Sequence, residues 1–268
     1  MARKRKGRAI HGWLNLDKPA GMSSSQAVNR VRRCLDAAKA GHGGTLDPAA
    51  TGILPIAFGE ATKTVSYAMD GFKTYHFAVT WGVQTSTDDT EGGAVETHDH
   101  RPDAEAIEAV LKDFTGDVTQ IPPIYSAIKI DGRRAYELAR RDEAVEMQPR
   151  VVRIEEIRLL RMVDADTAEF EVTSGKGTYV RALARDIARA VGTVGHVAWL
   201  RRTAVGPFHE DNAISLDKLE SLGHIALDSD QLLPVETVLA DIPALALTQQ
   251  EAQRLKRGQA VSVLPVAS

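Results

Sequence analysis

The chain has 268 residues, of which 43% are hydrophobic and 26% charged, with a formal net charge of −3. These values are typical of a globular protein with one large domain, or one domain and a small appendage. A single cysteine excludes an intrachain disulfide and a multi-cysteine metal site, and the lack of a membrane-length apolar run or a secretory leader favours the cytoplasm.

Charge is distributed unevenly along the chain. Residues 1–40 contain ten Lys or Arg and two Asp, a local charge of +8, so the remainder carries −11. A basic N-terminal arm on an acidic body favours a polyanionic partner at one face. For residues 3–8 alone, a disordered and solubilising tail is an equally good interpretation.

The first predicted elements lead into a glycine-rich loop. Residues 10–19 predict a strand and a turn, and residues 21–25 supply N-cap candidates for a helix with one cationic face. The loop at residues 41–52 contains four glycines and the side chains of His42 and Asp47. Because glycine adopts backbone angles that other residues avoid, the pattern predicts a loop of fixed shape that presents these two side chains. An ordinary surface turn is the alternative.

The remaining elements alternate between strands and helices. Strands are predicted at residues 53–58, 74–82, 151–162, 167–173 and 198–208, and helices at 60–69, 102–116, 133–141, 179–191 and after Ser215. Residues 85–93 are predicted to form a polar surface loop. From about residue 243 the composition changes, and a helix at 247–258 with a strand at 260–264 is too little to close a core alone.

Asp47 is the strongest catalytic candidate, because a carboxylate can act as nucleophile, base or electrostatic partner without a metal. No second acid stands in a comparable loop, as a glycosidase would require, and the scattered histidines disfavour a metal site. Arg181 falls in the first turn of its helix, where a cation opposes the helix dipole, so a carboxylate partner such as Asp47 would explain it. A surface role for Arg181 stays open at this stage.

Three aromatic residues have two interpretations. Tyr75, Tyr179 and Trp199 are either core residues, the usual fate of aromatics in strands and helices, or platforms for nucleobases. Stacking of a base on an aromatic ring is worth about 1–3 kcal/mol. The residues alone therefore indicate a metal-free site with one carboxylate, nearby cations and aromatic rings, but no particular reaction.

A set of ordered motifs adds a resemblance. The chain closely resembles the TruB family of bacterial tRNA pseudouridine-55 synthases between residue 10 and about residue 235. The resemblance rests on residues 16–24 (LDKPAGMSS), 41–52 (GHGGTLDPAATG), 59–63 (GEATK), Tyr75, 121–129 (IPPIYSAIK), 176–181 (KGTYVR) and 200–203 (LRRT).

The resemblance implies an α+β fold, a pseudouridine synthase fold with a curved, largely antiparallel central sheet flanked by helices. It also implies isomerisation of one T-loop uridine of tRNA: the N1–C1′ bond breaks, the uracil rotates and it is rejoined through C5. No cofactor and no metal is implied. The expected partner is the tRNA T-arm, with no membrane, no obligate protein partner and a monomeric protein.

By the family pattern, Asp47 is the catalytic carboxylate, and whether it attacks the ribose or the base or drives a glycal route stays open. Arg181 resembles the arginine that pairs with it, and Tyr75 the tyrosine that stacks on the target uracil. His42 resembles the histidine that fills the gap left by the extruded base. Further matches are Tyr179 and Leu200, at pocket positions, and Lys18, a motif lysine with a structural role.

The expected domains are a basic arm at residues 1–9, the catalytic domain at 10–240 and a partial PUA-like RNA-binding segment at 241–268. This segment departs from the family pattern, since only the beginning of a PUA domain is recognisable. Two further hypotheses accompany the isomerase: a chaperone that assists tRNA folding, and a guide-dependent relative that acts only within a ribonucleoprotein.

Overall fold

A large sheet organises the computed structural model, which describes residues 7–130, 132–141, 143, 145–224 and 230–261. Most of the predicted basic arm and the end of the strand predicted at 260–264 lie outside the described residues. The chain divides into two compact units, one up to Val238 and one from Leu239. The sheet belongs to the first unit, and the second contains one described α-helix.

The strands are β1 (Gly12–Lys18), β2 (Ala40–His42), β3 (Thr51–Phe58), β4 (Lys73–Trp81), β5 (Val83–Thr85), β6 (Ala94–Thr97), β7 (Gly116–Gln120), β8 (Lys129–Ile130), β9 (Arg133–Arg134), β10 (Arg150–Met162), β11 (Thr167–Ser174), β12 (Gly195–Val205), β13 (Phe208–His209), β14 (Ile214–Ser215) and β15 (Leu232–Leu233). The α-helices are α1 (Ser24–Cys34), α2 (Val65–Asp70), α3 (Ala104–Leu111), α4 (Ala135–Ala139), α5 (Val180–Ala190), α6 (Leu216–Leu222) and α7 (Gln249–Lys256). Short 3-10 helices lie at Gly59–Lys63, Lys112–Phe114, Glu210–Asn212 and Val235–Leu239.

The main sheet has the strand order β14-β1-β3-β12-β4-β11-β10-β7, and β2, β13 and β15 pair at its margins. Neighbouring strands are antiparallel except at two places, where β1 meets β14 and β3 meets β12. The short β5–β6 and β8–β9 pairs stand apart from this sheet. The mixed fold with a largely antiparallel sheet is therefore confirmed.

Local signals explain where several helices begin. Ser23 caps α1 with a full capping box that includes Gln26, and Ser215 accepts the amide of Lys218 at the start of α6. Thr248 and Glu251 form the corresponding box at the start of α7. These polar residues satisfy amides that the first helical turn leaves without partners.

Three predicted segments differ from the structure. The glycine-rich loop is shorter than expected, since β2 takes residues 40–42 and β3 begins at Thr51. Arg133 and Arg134, placed in a helix by the sequence pattern, form β9 instead. The segment at residues 85–93 is a surface loop only in part, because Thr85, Asp88 and Asp89 are buried while Ser86, Thr90 and Glu91 are exposed.

Two large hydrophobic cores support different parts of the sheet. One joins α1 and α6 to β1 and β3, and the other joins α3 and α5 to β4, β10, β11 and β12. Tyr75 on β4 and Leu200 on β12 pack against both cores. The two side chains therefore lie on the seam between the two cores, where the candidate site is found.

Candidate active site

A cleft of about 410 Å³ opens along this seam. The loop that leads from β2 to β3 lines one side, and the N-terminal end of α5 lines the other, with Tyr75 and Leu200 between them. Among the lining residues that the structure describes, Asp47 is the single carboxylate, beside six cationic residues: Lys73, Arg134, Arg150, Lys176, Arg181 and Arg202. The cleft therefore suits a polyanionic ligand and offers it one negatively charged side chain.

Buried polar side chains hold the loop that carries Asp47. Ser24, at the start of α1, accepts the amide of Leu46 at 2.8 Å and donates to the carbonyl of the same residue at 3.0 Å. Lys18 is fully buried, and its Nζ donates to the carbonyls of Pro19, Met22 and Pro48. Because both residues bond to the backbone, they fix the path of the loop independently of its side chains.

Burial lowers the pKa of Lys18 to about 8, with the charge of Asp47 acting in the opposite direction. The expectation that Lys18 has a structural role agrees with its three carbonyl partners. Lys18 is absent from the cleft lining.

Arg202 on β12 also holds the loop, and the sequence analysis did not select it as a site residue. Its guanidinium is fully buried and donates to the carbonyls of Ile53 at 2.8 Å, Gly44 at 3.1 Å and Thr45 at 3.4 Å. Burial lowers the pKa of Arg202 below its ordinary value, and the electrostatic interaction with the nearby Tyr75 acts in the opposite direction. Arg202 thus lies between the loop and the tyrosine that lines the cleft.

The glycines of the loop serve different purposes. Gly44 has φ +119° and Gly52 has φ +98°, which side chains rarely adopt, and a Cβ on Gly52 would lie 2.2 Å from the carbonyl oxygen of Arg202. Gly41 and Gly43 were expected to have backbone angles that only glycine adopts, but neither has positive φ. Gly41 lies in the extended strand β2. At Gly43 the constraint is space, since a Cβ would lie 3.1 Å from that of Ala68.

Arg181 and Asp47 form the ion pair that the dipole argument anticipated. An Nη of Arg181 lies 3.0 Å from Oδ2 of Asp47, and the arginine side chain is 6% exposed against 39% for the carboxylate. The same guanidinium donates to the carbonyls of Thr87 and Tyr125. Arg181 is therefore fixed from behind, and Asp47 has one side paired and the other open to the cleft.

Two buried aspartates behind α5 were missed by sequence reasoning. Asp89 lies 3.6 Å from Nε of Arg181, and Asp88 lies 2.9 Å from an Nη of Arg185, one turn further along the helix. Asp88 has φ +57°, so its backbone is unusual as well. The available signal was the run of acidic residues after β5 combined with two arginines spaced by four on one helix.

The predicted aromatic residues are brought together only in part. Tyr75 and Tyr179 both line the cleft. Trp199 does not: its indole is 40% exposed, and its ring meets that of His76 at 5.0 Å. Trp199 alternates with Leu200 along β12, so the two side chains point to opposite faces of the sheet.

His42 lies on β2, directly opposite Ile56, and is absent from the cleft lining. Burial and, secondly, the charge of Arg202 lower the pKa of His42 below its ordinary value. Its ring is therefore uncharged at neutral pH, and its Nδ1 is buried without a hydrogen-bond partner among the residues that the structure describes. A neutral imidazole suits a stacking role, which stays a prediction for His42.

The described residues contain neither a cluster of metal ligands nor a membrane-spanning helix. Across the ranges from 7 to 261 that the structure describes, no group of three or more His, Cys, Asp or Glu side chains could hold a metal ion. Within the same ranges, no helix has the length and apolarity needed to span a membrane.

Comparison with known families adds to this geometry. The N-terminal domain of the TruB family pseudouridylate synthases matches residues 32–180, and the C-terminal domain of tRNA pseudouridylate synthase B matches residues 181–240. The chain belongs to the TruB family. The resemblance carried by the sequence motifs is confirmed, and this TruB family member is a pseudouridylate synthase.

Curated TruB relatives match along nearly the whole chain. A tRNA pseudouridine synthase B from Rhodospirillum rubrum is 59% identical over 268 residues, which cover 100% of this chain and 87% of that protein. The enzyme of the same name from Gluconacetobacter diazotrophicus is 59% identical over 263 residues, covering 98% and 86% of the two chains.

Solved structures with a similar fold include larger assemblies. A chain in a Cbf5-Nop10-Gar1 complex has a TM-score of 0.67 and 30% identity, covering 85% of the TruB chain described here and 61% of its own length. A chain in an H/ACA RNP bound to a substrate RNA containing 2′-deoxyuridine has a TM-score of 0.65 and 25% identity, with coverages of 89% and 67%. The TruB chain therefore spans less than two thirds of the length of the matching chain in the Cbf5-Nop10-Gar1 complex.

Proposed function

We propose that this protein isomerises a uridine of tRNA to pseudouridine, and that the target is uridine 55 in the T-loop. The observation that carries the proposal is the pairing of Asp47 with Arg181 in a cleft whose other charged lining residues, in the part of the chain that the structure describes, are all cations. Relatives named tRNA pseudouridine synthase B match at 59% identity over nearly the whole chain, which supports tRNA as the substrate.

Asp47 is the group that meets the reacting nucleotide in this proposal. Its carboxylate is 39% exposed on the cleft side, while Arg181 orients it from the protein side at 3.0 Å. Asp47 attacks the ribose or the base, or drives a glycal route, while the N1–C1′ bond breaks, and the uracil is rejoined through C5. Arg181 balances the charge of the carboxylate and limits its rotation, so the reacting oxygen is held in place before the substrate arrives.

The uridine has to leave the RNA stack to reach Asp47. Extruding a base costs a few kcal/mol, which stacking on Tyr75 inside the cleft offsets. We propose that Tyr75 also takes part in the proton transfer at C5, because it lines the cleft and lies close to the buried guanidinium of Arg202. Tyr179 and Leu200 complete the pocket, and His42 occupies the vacated position in the RNA.

Replacement of Asp47 by Asn tests the proposal directly. We expect Asp47→Asn to abolish pseudouridine formation in a T-arm transcript, while the dissociation constant for this RNA changes by less than about threefold, since the amide keeps the shape of the carboxylate. Asp70→Asn is the matched control, because Asp70 is exposed at the end of α2 and should retain full activity. An Asp47→Asn protein that still formed pseudouridine would refute the assignment.

Free tRNA distinguishes this enzyme from a guide-dependent one. We expect the purified chain to modify an unmodified tRNA transcript without a guide RNA or partner protein, and to act as a monomer. Activity that appears only after other components are added would favour the guide-dependent hypothesis.

Binding of tRNA should weaken steeply as the salt concentration rises, because contacts to phosphates release counterions.

Assistance to tRNA folding is a separate activity in this proposal. If it depends on binding alone, Asp47→Asn should accelerate the folding of a tRNA transcript as well as the wild type does. A loss of folding assistance in this variant would tie the activity to catalysis.

The C-terminal segment is proposed to be a partial PUA-like RNA-binding segment beginning near residue 241. It contains α7, whose last turn carries Arg254 and Lys256. Deleting residues 241–268 should raise KM for tRNA and leave kcat unchanged. A lower kcat at saturating tRNA would contradict this division.

A further inference from the structure

Tyr179 is held by two residues to which the function proposed above gives no individual role, Gln120 and Arg150. These residues lie directly opposite each other in the antiparallel ladder between β7 and β10. The chain segment between them, residues 121–149, leaves the sheet at Gln120 and returns to it at Arg150. The segment is therefore closed at its root by this one residue pair.

Gln120 fixes the backbone of Tyr179 from both sides. Its Oε1 accepts the amide of Tyr179 at 3.2 Å, and its Nε2 donates to the carbonyl of Tyr179 at 3.4 Å. Gln120 is 1% exposed, so water does not compete for these bonds. Tyr179 is the N-cap residue of α5 and has no side-chain cap, so Gln120 supplies a bond that the helix start lacks.

Arg150 fixes the ring of the same tyrosine. Its guanidinium carbon lies 4.7 Å from the centre of the Tyr179 ring, and one Nη donates to the carbonyl of Gly177. Gly177 has φ +87°, and a Cβ there would lie 3.7 Å from the guanidinium. The planar cation therefore bridges the ring and a backbone turn two residues before it.

The Nε of Arg150 is buried and has no hydrogen-bond partner among the described residues, although most buried donors have one. The arginine therefore leaves one donor unsatisfied while its guanidinium covers the ring. Arg150 and Tyr179 both line the cleft that contains Asp47.

We propose that Gln120 and Arg150 are positioning residues for Tyr179: the glutamine sets its backbone and the arginine sets its ring against the extruded uridine. Both act through the tyrosine and not by contact with the nucleotide. Since the pair also closes the root of residues 121–149, the orientation of Tyr179 is coupled to that segment. This inference rests on the proposed uridine isomerisation.

Single-turnover kinetics on a T-arm stem-loop test the inference, with the wild type measured first. A wild type without activity would count against the proposed function and not against this inference alone. With an active wild type, Arg150→Ala should lower the rate constant about tenfold and change the dissociation constant less than about threefold, because orientation and not contact is lost. Arg150→Lys keeps the positive charge but not the planar guanidinium, so its rate constant should lie between those of the wild type and Arg150→Ala. Arg158→Ala, on an exposed arginine of the same strand, is the matched control.

A double-mutant cycle separates positioning from direct contact with RNA. In a Tyr179→Leu background, which removes the ring, Arg150→Ala should cause no further loss of rate. A full tenfold additional loss, or a weakening of RNA binding that matches the loss of rate, would overturn the proposal by showing that Arg150 acts on the nucleic acid.

A second readout needs no activity. Labelling with 3-fluorotyrosine gives one ¹⁹F site for each of the five tyrosines, and Tyr179→Phe assigns the resonance of Tyr179. Arg150→Ala and Gln120→Glu should shift or broaden that resonance and leave the Tyr67 resonance unchanged, since Tyr67 lies on α2 and is exposed. An unchanged Tyr179 resonance in both variants would refute the positioning role.

Discussion

The two sides of the cleft bury positive charge in different ways. On the loop side, Lys18 and Arg202 donate to backbone carbonyls. On the helix side, Arg181 and Arg185 donate to carbonyls as well, but they also lie against the carboxylates of buried aspartates. A cation bonded only to carbonyls fixes a backbone, whereas a cation that also meets carboxylates is part of a charge network.

The difference explains why Asp47 pairs across the cleft. Backbone carbonyls of the loop that carries Asp47 already accept hydrogen bonds from Lys18 and Arg202. The carboxylate of Asp47 therefore pairs with Arg181 on the opposite side of the cleft, at 3.0 Å. The loop side provides position and the helix side provides electrostatic complementarity.

Removing the helix-side cation should have the largest effect. Arg181→Met leaves Asp47 and Asp89 without their shared cation, and we expect the single-turnover rate constant to fall about 10³-fold, or about 4 kcal/mol in activation free energy. Arg185→Met is the matched control, because Arg185 pairs with Asp88 and not with Asp47. Equal losses of rate in the two variants would contradict a special role for the Asp47 pair.

A rigid loop side predicts a strong effect of a single methyl group. In Gly52→Ala the new Cβ would lie 2.2 Å from the carbonyl oxygen of Arg202, at a residue with φ +98°. We expect the free energy of unfolding in urea to fall by about 3 kcal/mol or more. Gly41→Ala should change it by less than about 1 kcal/mol, because that Cβ meets nothing within 4 Å. Similar losses in both variants would show that the contact at Arg202 is not decisive.

Lys18 should make stability depend on pH. Its pKa is about 8 in the folded protein against 10.5 for the ordinary side chain, so the unfolded chain binds more protons between these values and folding is favoured as pH rises. Between pH 7 and 9.5 this group adds about 2 kcal/mol to the free energy of unfolding. The comparison is between wild type and Lys18→Met in urea titrations at both pH values. A difference that stayed constant or decreased with pH would contradict the lowered pKa.

An exposed ion pair at the cleft should have the smallest effect. Lys176 lies 2.9 Å from Asp70, but both side chains are more than half exposed. We expect Lys176→Gln to change the free energy of unfolding by less than about 0.5 kcal/mol, as is usual for pairs in water. A loss above 1 kcal/mol would show that burial is not what distinguishes the cleft cations.

Local patterns in the sequence predicted much of the fold. β-Branched and aromatic residues identified β4, and serines at positions 23 and 215 marked the starts of α1 and α6. These features depend on a few neighbouring residues. The pairing of Arg181 with Asp47 was also anticipated, because a cation in a first helical turn requires a local explanation.

Contacts between distant segments were not predictable in the same way. The fully buried Arg202 looked like one of two cations in an ordinary strand, since its carbonyl partners lie about 150 residues earlier in the chain. Asp88 and Asp89 looked like loop residues because their partners are on α5. Nothing local distinguishes a solvated carboxylate from one that meets a buried arginine.

The parallel pairing of β3 with β12 gives the sheet an uneven resistance to opening. The two strands are in register only at Arg201↔Thr51 and Arg202↔Gly52, whereas β12 and β4 are paired along most of their length. Hydrogen exchange should therefore show that the part of the sheet around β1 and β3 separates from the part around β12 and β4 at this short junction, before either part unfolds. Because Asp47 belongs to the first part and Arg181 packs with the second, such an opening would break the ion pair. The lifetime of the competent active site is then set by the junction and not by the global stability of the protein.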